Sequence, residues 1–170
     1  MAFEIPDDLH PDARPLAWLL GTWHGSGRGE YPTIEAFSYE QDVAIAHDGR
    51  PFLHYFSQTW ITGDDGERLR PGALETGFLR PAGDPPEGEG TAVELVLAHA
   101  TGYAEIWYGV VDGPRLTLAT DIIARTETAK EYTAGQRMYG LVEGHLMYAY
   151  DMAAEGQPMQ SHLWGKLARA

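Results

Sequence analysis

The sequence predicts an all-β protein: a roughly ten-stranded antiparallel up-and-down β-barrel preceded by one short N-terminal helix. Three observations lead there. From Gly21 onward, apolar and polar residues alternate in runs of strand length. Turn pairs such as Asp48-Gly49, Asp112-Gly113 and Glu143-Gly144 punctuate those runs at the close spacing of consecutive hairpins. Strands that pair in chain order close most naturally into a barrel, because closure removes exposed sheet edges.

The helix is expected from Pro11 to Leu20, with Pro11 and Asp12 at its start and Leu16, Leu19 and Leu20 at helical spacing. The stretch from Gly21 to Ile34 then organises the chain. Read as a strand, it puts Trp23, Gly25, Gly27 and Gly29 on one face and Thr22, His24, Ser26 and Arg28 on the other. Three bare positions in register imply either a sharp bend of the backbone or something flat lying against it. Phosphate cradling is excluded, since G-x-G-x-x-G needs glycine where Glu30 stands. Trp23, next to the helix, is expected to plug the barrel floor.

Phe37, Tyr39, Gln41, Val43 and Ile45 alternate with polar or small residues as a half-buried strand, and Phe52 to Ile61 returns after Asp48-Gly49. Asp64-Asp65-Gly66 turns the chain toward a short strand from Glu75 to Arg80. Pro81 to Gly90, rich in proline, glycine and acid, reads as a surface loop. Strands are expected over Thr91 to Ala100, Gly102 to Val111, Arg115 to Ala124, Glu131 to Val142, His145 to Met152 and Gln160 to Ala168.

The 170 residues suit one domain, 1–170, with 1–20 as an N-terminal segment and helix and 21–170 as the barrel. Such a barrel can hold an apolar ligand. Twenty-five acidic residues against 12 Lys and Arg give a net charge of -13, which argues against nucleic acid and anionic membrane surfaces as partners. The absence of cysteine excludes disulfides, thiolate-bound haem, iron–sulfur clusters and Cys-based zinc sites. The acidic start and short apolar runs suggest neither signal peptide nor membrane span, so a cytoplasmic location is expected.

Seven histidines occur, none in H-x-H or H-E-x-x-H spacing, and no G-x-S-x-G elbow is present. His162, in the last strand, shares a face by alternation with Trp164 and Lys166, opposite Leu163 and Leu167. A neutral imidazole beside a cavity could bind a metal through one nitrogen; a solvent-facing or hydrogen-bonded wall residue fits the same pattern. His54, with Phe52, Phe56 and Trp60 on one face, and Tyr55 on the opposite face could each hydrogen-bond a ligand, but aromatic core packing is the expectation; Met138, Met147, Met152 and Met159 are expected as gap fillers. His47 and His145, beside turns, are expected to be exposed. The carboxylates, scattered over turns and polar faces, are expected to serve solubility.

Three stretches resemble the nitrobindin family. Gly21-Thr22-Trp23-His24-Gly25-Ser26-Gly27 is similar to its GxWxGxG signature and continues as Gly29-Glu30-Tyr31-Pro32-Thr33-Ile34. Ala124-Arg125 falls in a segment similar to an internal IAR element, and Gln157 to Leu163 is similar to the haem-ligand strand. The resemblance, from about Leu16 to Arg169, implies a lipocalin-like barrel holding haem b in a wide cleft. It implies His162 as the proximal iron ligand and catalytic residue, and Thr33 as a haem-contacting residue. It further implies isomerisation of peroxynitrite to nitrate by ferric haem, nitric oxide binding by the ferrous form, and a possible homodimer. A non-catalytic nitric oxide carrier and a haem-free binder of an apolar molecule are the competing readings.

Overall fold

The computed structural model describes residues 4–170; Met1 to Phe3, part of the expected N-terminal segment, lie outside the described residues. A 3-10 helix, Pro11–Leu19, is followed by ten strands: β1 Gly21–Tyr31, β2 Ile34–Ala46, β3 Leu53–Thr62, β4 Arg68–Pro81 and β5 Thr91–His99. The others are β6 Tyr103–Asp112, β7 Arg115–Arg125, β8 Tyr132–Val142, β9 His145–Ala154 and β10 Gln160–Arg169. Each strand pairs antiparallel with the next, and β1 pairs with β10 to close the barrel. The expected architecture is the observed one. No helix among the described residues is long and apolar enough to cross a membrane.

The helix is tighter than an α-helix, with Pro11 at its start and Pro15 inside it. Proline has no N–H and crowds the preceding turn, which works against α-helical bonding in so short a segment. Its apolar side, Ala13, Leu16, Ala17, Trp18 and Leu19, is buried against the barrel floor. Trp23, 1% exposed, sits there and donates from Nε1 to the Leu19 carbonyl at 2.8 Å. The Arg169 guanidinium lies 4.0 Å from the centre of the Trp23 ring and donates to the Trp18 carbonyl. Helix, first strand and last strand are thereby tied together at one end.

The glycine face points inward, and flat groups do cover it, but they come from the neighbouring strand. Gly27 pairs with Tyr39 and Gly29 with Phe37. A Cβ added at either glycine would lie 2.3 Å from the partner's ring. Gly27 and Gly29 are seats for cross-strand aromatic rings, while Gly25 lies against the Lys166 carbonyl and Leu167 of β10.

β4 begins at Arg68 rather than Glu75. Pro71 and Gly72 interrupt its alternation, and the β3–β4 register slips between Gln58 and Trp60, which is how the sheet absorbs the proline. The aromatic face of β3 points outward: His54 and Phe56 are exposed, while Leu53, Tyr55, Ser57 and Thr59 face in. His54 stacks on Phe78 at 5.2 Å outside the wall, so it is not in the core. Met138, Met147 and Met159 are exposed and fill no gap, whereas Met152 packs against the core. His47 is largely covered and accepts from the Gly49 N–H at 3.3 Å; His145 is half-buried. Alternation alone does not say which face is inside when both carry rings.

Candidate haem-binding cleft

At the end away from the helix, the barrel opens into a cleft with two connected lobes. The inner lobe, of about 210 Å³, is lined mostly by polar and aromatic side chains of β2 to β6 and β8 to β10 and of the turns between them. The outer lobe, of about 690 Å³, lies between β2, β3, β4 and β10. Thr59, Ala73, Thr101, His162 and Leu163 line both lobes. The outer lobe alone falls within the roughly 300–1,000 Å³ range of small-molecule sites. The wall is loose near the mouth. The β7–β8 ladder ends at Ala119↔Gln136, and the Thr120 hydroxyl, accepting from the Gly135 N–H at 2.9 Å, continues the join.

His162 reaches this junction because β10 carries a bulge at it. Ser161 pairs with Asp151 and Leu163 with Tyr150, so His162 is the extra residue between two consecutive partners. Strict alternation would put it outside with Trp164 and Lys166, both exposed. The bulge re-aims its side chain and places it with Leu163 on the cleft side. The expected face is therefore corrected.

The β1–β2 register slips at the matching height, between Gly29 and Tyr31, and the freed Glu30 carbonyl accepts a hydrogen bond from His162 Nδ1 at 3.1 Å. A carbonyl only accepts, so Nδ1 carries the proton and Nε2 keeps its lone pair. Burial pushes the imidazole pKa below its ordinary value, outweighing the bond to Glu30, which acts to raise it; Arg137 adds to the lowering. Tyr31, Tyr150 and Phe37 meet the ring edge-on, with centroids at 5.5, 5.7 and 6.4 Å. Tyr31 is itself pinned, since its hydroxyl accepts from the Ala154 N–H at 2.9 Å. The result is a neutral imidazole held in one orientation.

Thr33 sits in the β1–β2 turn, exposed, and its hydroxyl donates to Glu155 Oε2 at 2.6 Å. It lines neither lobe, although the next two residues, Ile34 and Glu35, line the outer one. Glu155 adopts a left-handed φ of 50° and also lies 3.6 Å from Lys130 Nζ. Three mouth turns are joined through that one carboxylate.

The inner lobe is built around carboxylates that are buried, against the expectation that the carboxylates serve solubility. Glu75 and Arg137, both buried, form a bidentate pair at 2.7 and 2.8 Å, and Tyr55 donates to the same carboxylate at 2.8 Å. Burial pushes the Glu75 carboxyl up, but the charge and hydrogen bonds of Arg137 prevail and hold it at about 2. His99 Nε2 lies 2.9 Å from Glu105, which also accepts from Trp107 Nε1 at 2.7 Å. Tyr148 donates to Gln41 at 2.6 Å and is bonded to Tyr39. The signal for Glu75 and Glu105 was present: Glu75 alternates with Gly77 and Leu79, and Glu105 with Trp107 and Val111, all on buried faces.

A model of the THAP4-like, heme-binding beta-barrel domain matches residues 12–169. A peroxynitrite isomerase of Nocardioides sp. is 59% identical over 169 residues, covering 99% of each chain. A ferric nitrobindin-like protein of Cutibacterium acnes is 42% identical over 171 residues, covering all of both. The crystal structure of Rv2717c from M. tuberculosis superimposes with a TM-score of 0.80 at 41% identity, covering 95% of this chain and 99% of the other. The cleft and its re-aimed histidine thus lie in a chain that belongs to the THAP4-like, heme-binding beta-barrel domain family.

Proposed function

We propose that His162 holds the iron of haem b in this cleft and that the ferric protein isomerises peroxynitrite to nitrate. The observation that carries the reading is the bulge, which delivers a neutral imidazole with a free Nε2 lone pair to the junction of the two lobes. The residues present fit such a group. The outer lobe is walled by Ile34, Phe37, Ile61 and Leu163, suited to a planar apolar macrocycle. Its relative from Nocardioides carries the name of this activity.

Bound in this cleft, ferric haem would supply Lewis-acid chemistry toward an oxygen of the substrate. The chain's part is to bind and orient. The Glu30 carbonyl fixes the His162 tautomer and strengthens its lone pair as a donor. The three rings around the imidazole restrict its rotation, so the ligand is set before the cofactor arrives. Thr33 acts at the rim through Glu155, tying the β1–β2 turn to the turn ahead of β10. The buried Glu75–Arg137 pair is already neutralised and keeps the inner lobe polar without a net charge of its own. The same haem in its ferrous form would bind nitric oxide.

Stopped-flow mixing of peroxynitrite with the ferric protein tests the activity. Accelerated decay with nitrate as the product is expected, and no acceleration over the haem-free chain removes the isomerase reading.

A further inference from the structure

The rim of the outer lobe carries two charges with no ion pair among the described residues. Arg70, exposed on β4, lines the lobe and makes only a long 3.5 Å bond to the carbonyl of Pro71, with no ion pair to any described residue. Four arginines find carboxylates, Arg50 with Asp48, Arg68 with Glu40, Arg80 with Glu94 and Arg137 with Glu75; Arg14, Arg28, Arg115 and Arg125 have no ion pair to a described residue either, but Arg70 alone of these lines the outer lobe. Glu35, on β2, lines the same lobe and also has no ion pair to a described residue. β3 runs between their two strands and contributes Ile61, which pairs with Arg70. The lobe therefore has an imidazole at its base, apolar walls, a cation on one flank and an anion on the other.

That distribution matches a flat apolar ring with both of its carboxylates on one edge, as in protohaem. We propose that Arg70 receives the carboxylate edge of the porphyrin while Glu35 repels it, so that the two residues set which way round the ring enters. This rests on the haem reading above. Arg70 adds a charge-assisted hydrogen bond, and Glu35 disfavours the reversed seating by like-charge repulsion. Because both groups are exposed, the effect is modest and weakens with salt.

The test is the rate at which the haem-loaded full chain releases its cofactor to excess apomyoglobin. Arg70→Gln is expected to speed release of protohaem by about three- to fivefold at low salt. Arg70→Lys should recover most of that loss, and Glu35→Gln should slow release by about twofold. With the iron porphyrin dimethyl ester, whose edge is uncharged, all of these differences should vanish. Unchanged protohaem release from Arg70→Gln overturns the assignment, as does equal acceleration of the ester. A wild-type chain that takes up neither porphyrin overturns this assignment and the haem reading together. A wild-type chain with a histidine-ligated spectrum and an indifferent Arg70 overturns the edge assignment alone.

Discussion

At the floor of the barrel, the helix and Trp23 meet through a nearly continuous apolar surface fastened by a few backbone-directed bonds. At the other end, two carboxylates, a guanidinium and several phenols face one another across a cavity, and a histidine leaves its strand's alternation to join them. The floor is regular and closed. The mouth is built from departures: the bulge at His162, the slip beside Glu30, the short β7–β8 ladder and the left-handed Glu155. The difference teaches that the regular end supports the fold and the irregular end aims side chains at a site.

Breaking the polar end should have the largest effect. Arg137→Met leaves Glu75 buried without its counter-charge and should cost about 3–5 kcal/mol in denaturant unfolding. The double variant Glu75→Leu/Arg137→Met should recover most of that loss. The pair also gives a pH signature. Glu75 is held at about 2 against an ordinary 4.5, so its stabilisation is complete above 4.5 and is lost as pH falls toward 2. Unfolding at pH 7 and at pH 3 should show the wild type losing part of its stability while the double variant loses less.

At the floor, Trp23→Phe keeps a ring but removes the donor to the Leu19 carbonyl, and should cost about 1–3 kcal/mol. The haem spectrum per folded molecule should not change; a lost spectrum would mean that the two ends are coupled. Thr33→Val removes one exposed bond to Glu155 and should cost less than about 1 kcal/mol. If it instead weakens haem binding more than tenfold with stability unchanged, Thr33 touches the cofactor directly.

The same contrast explains what could be read from the sequence. Alternation and turn pairs gave the strand order and β2's inward face, because regular strands write their burial into every second residue. Trp23 was legible as a plug for the same reason. The cleft was not. A bulge inserts a single residue and leaves no compositional mark, so His162 reads as an outward partner of Trp164. The proposal that it holds iron begins from the resemblance of the strand around it. Glu75 and Glu105 read as solvent-facing because a charged side chain suggests water, although their strand-mates Leu79 and Trp107 point inward. Arg70 and Glu35 carry no signal without the third dimension, since only the fold brings β2 and β4 to one lobe.

The most direct measurement is a hemin titration of the wild type and His162→Ala, followed by visible spectroscopy. The wild type should give a histidine-ligated ferric spectrum, and His162→Ala should lose it and regain it on adding free imidazole. Identical spectra from the two proteins would contradict the claim that the β10 bulge presents the iron ligand.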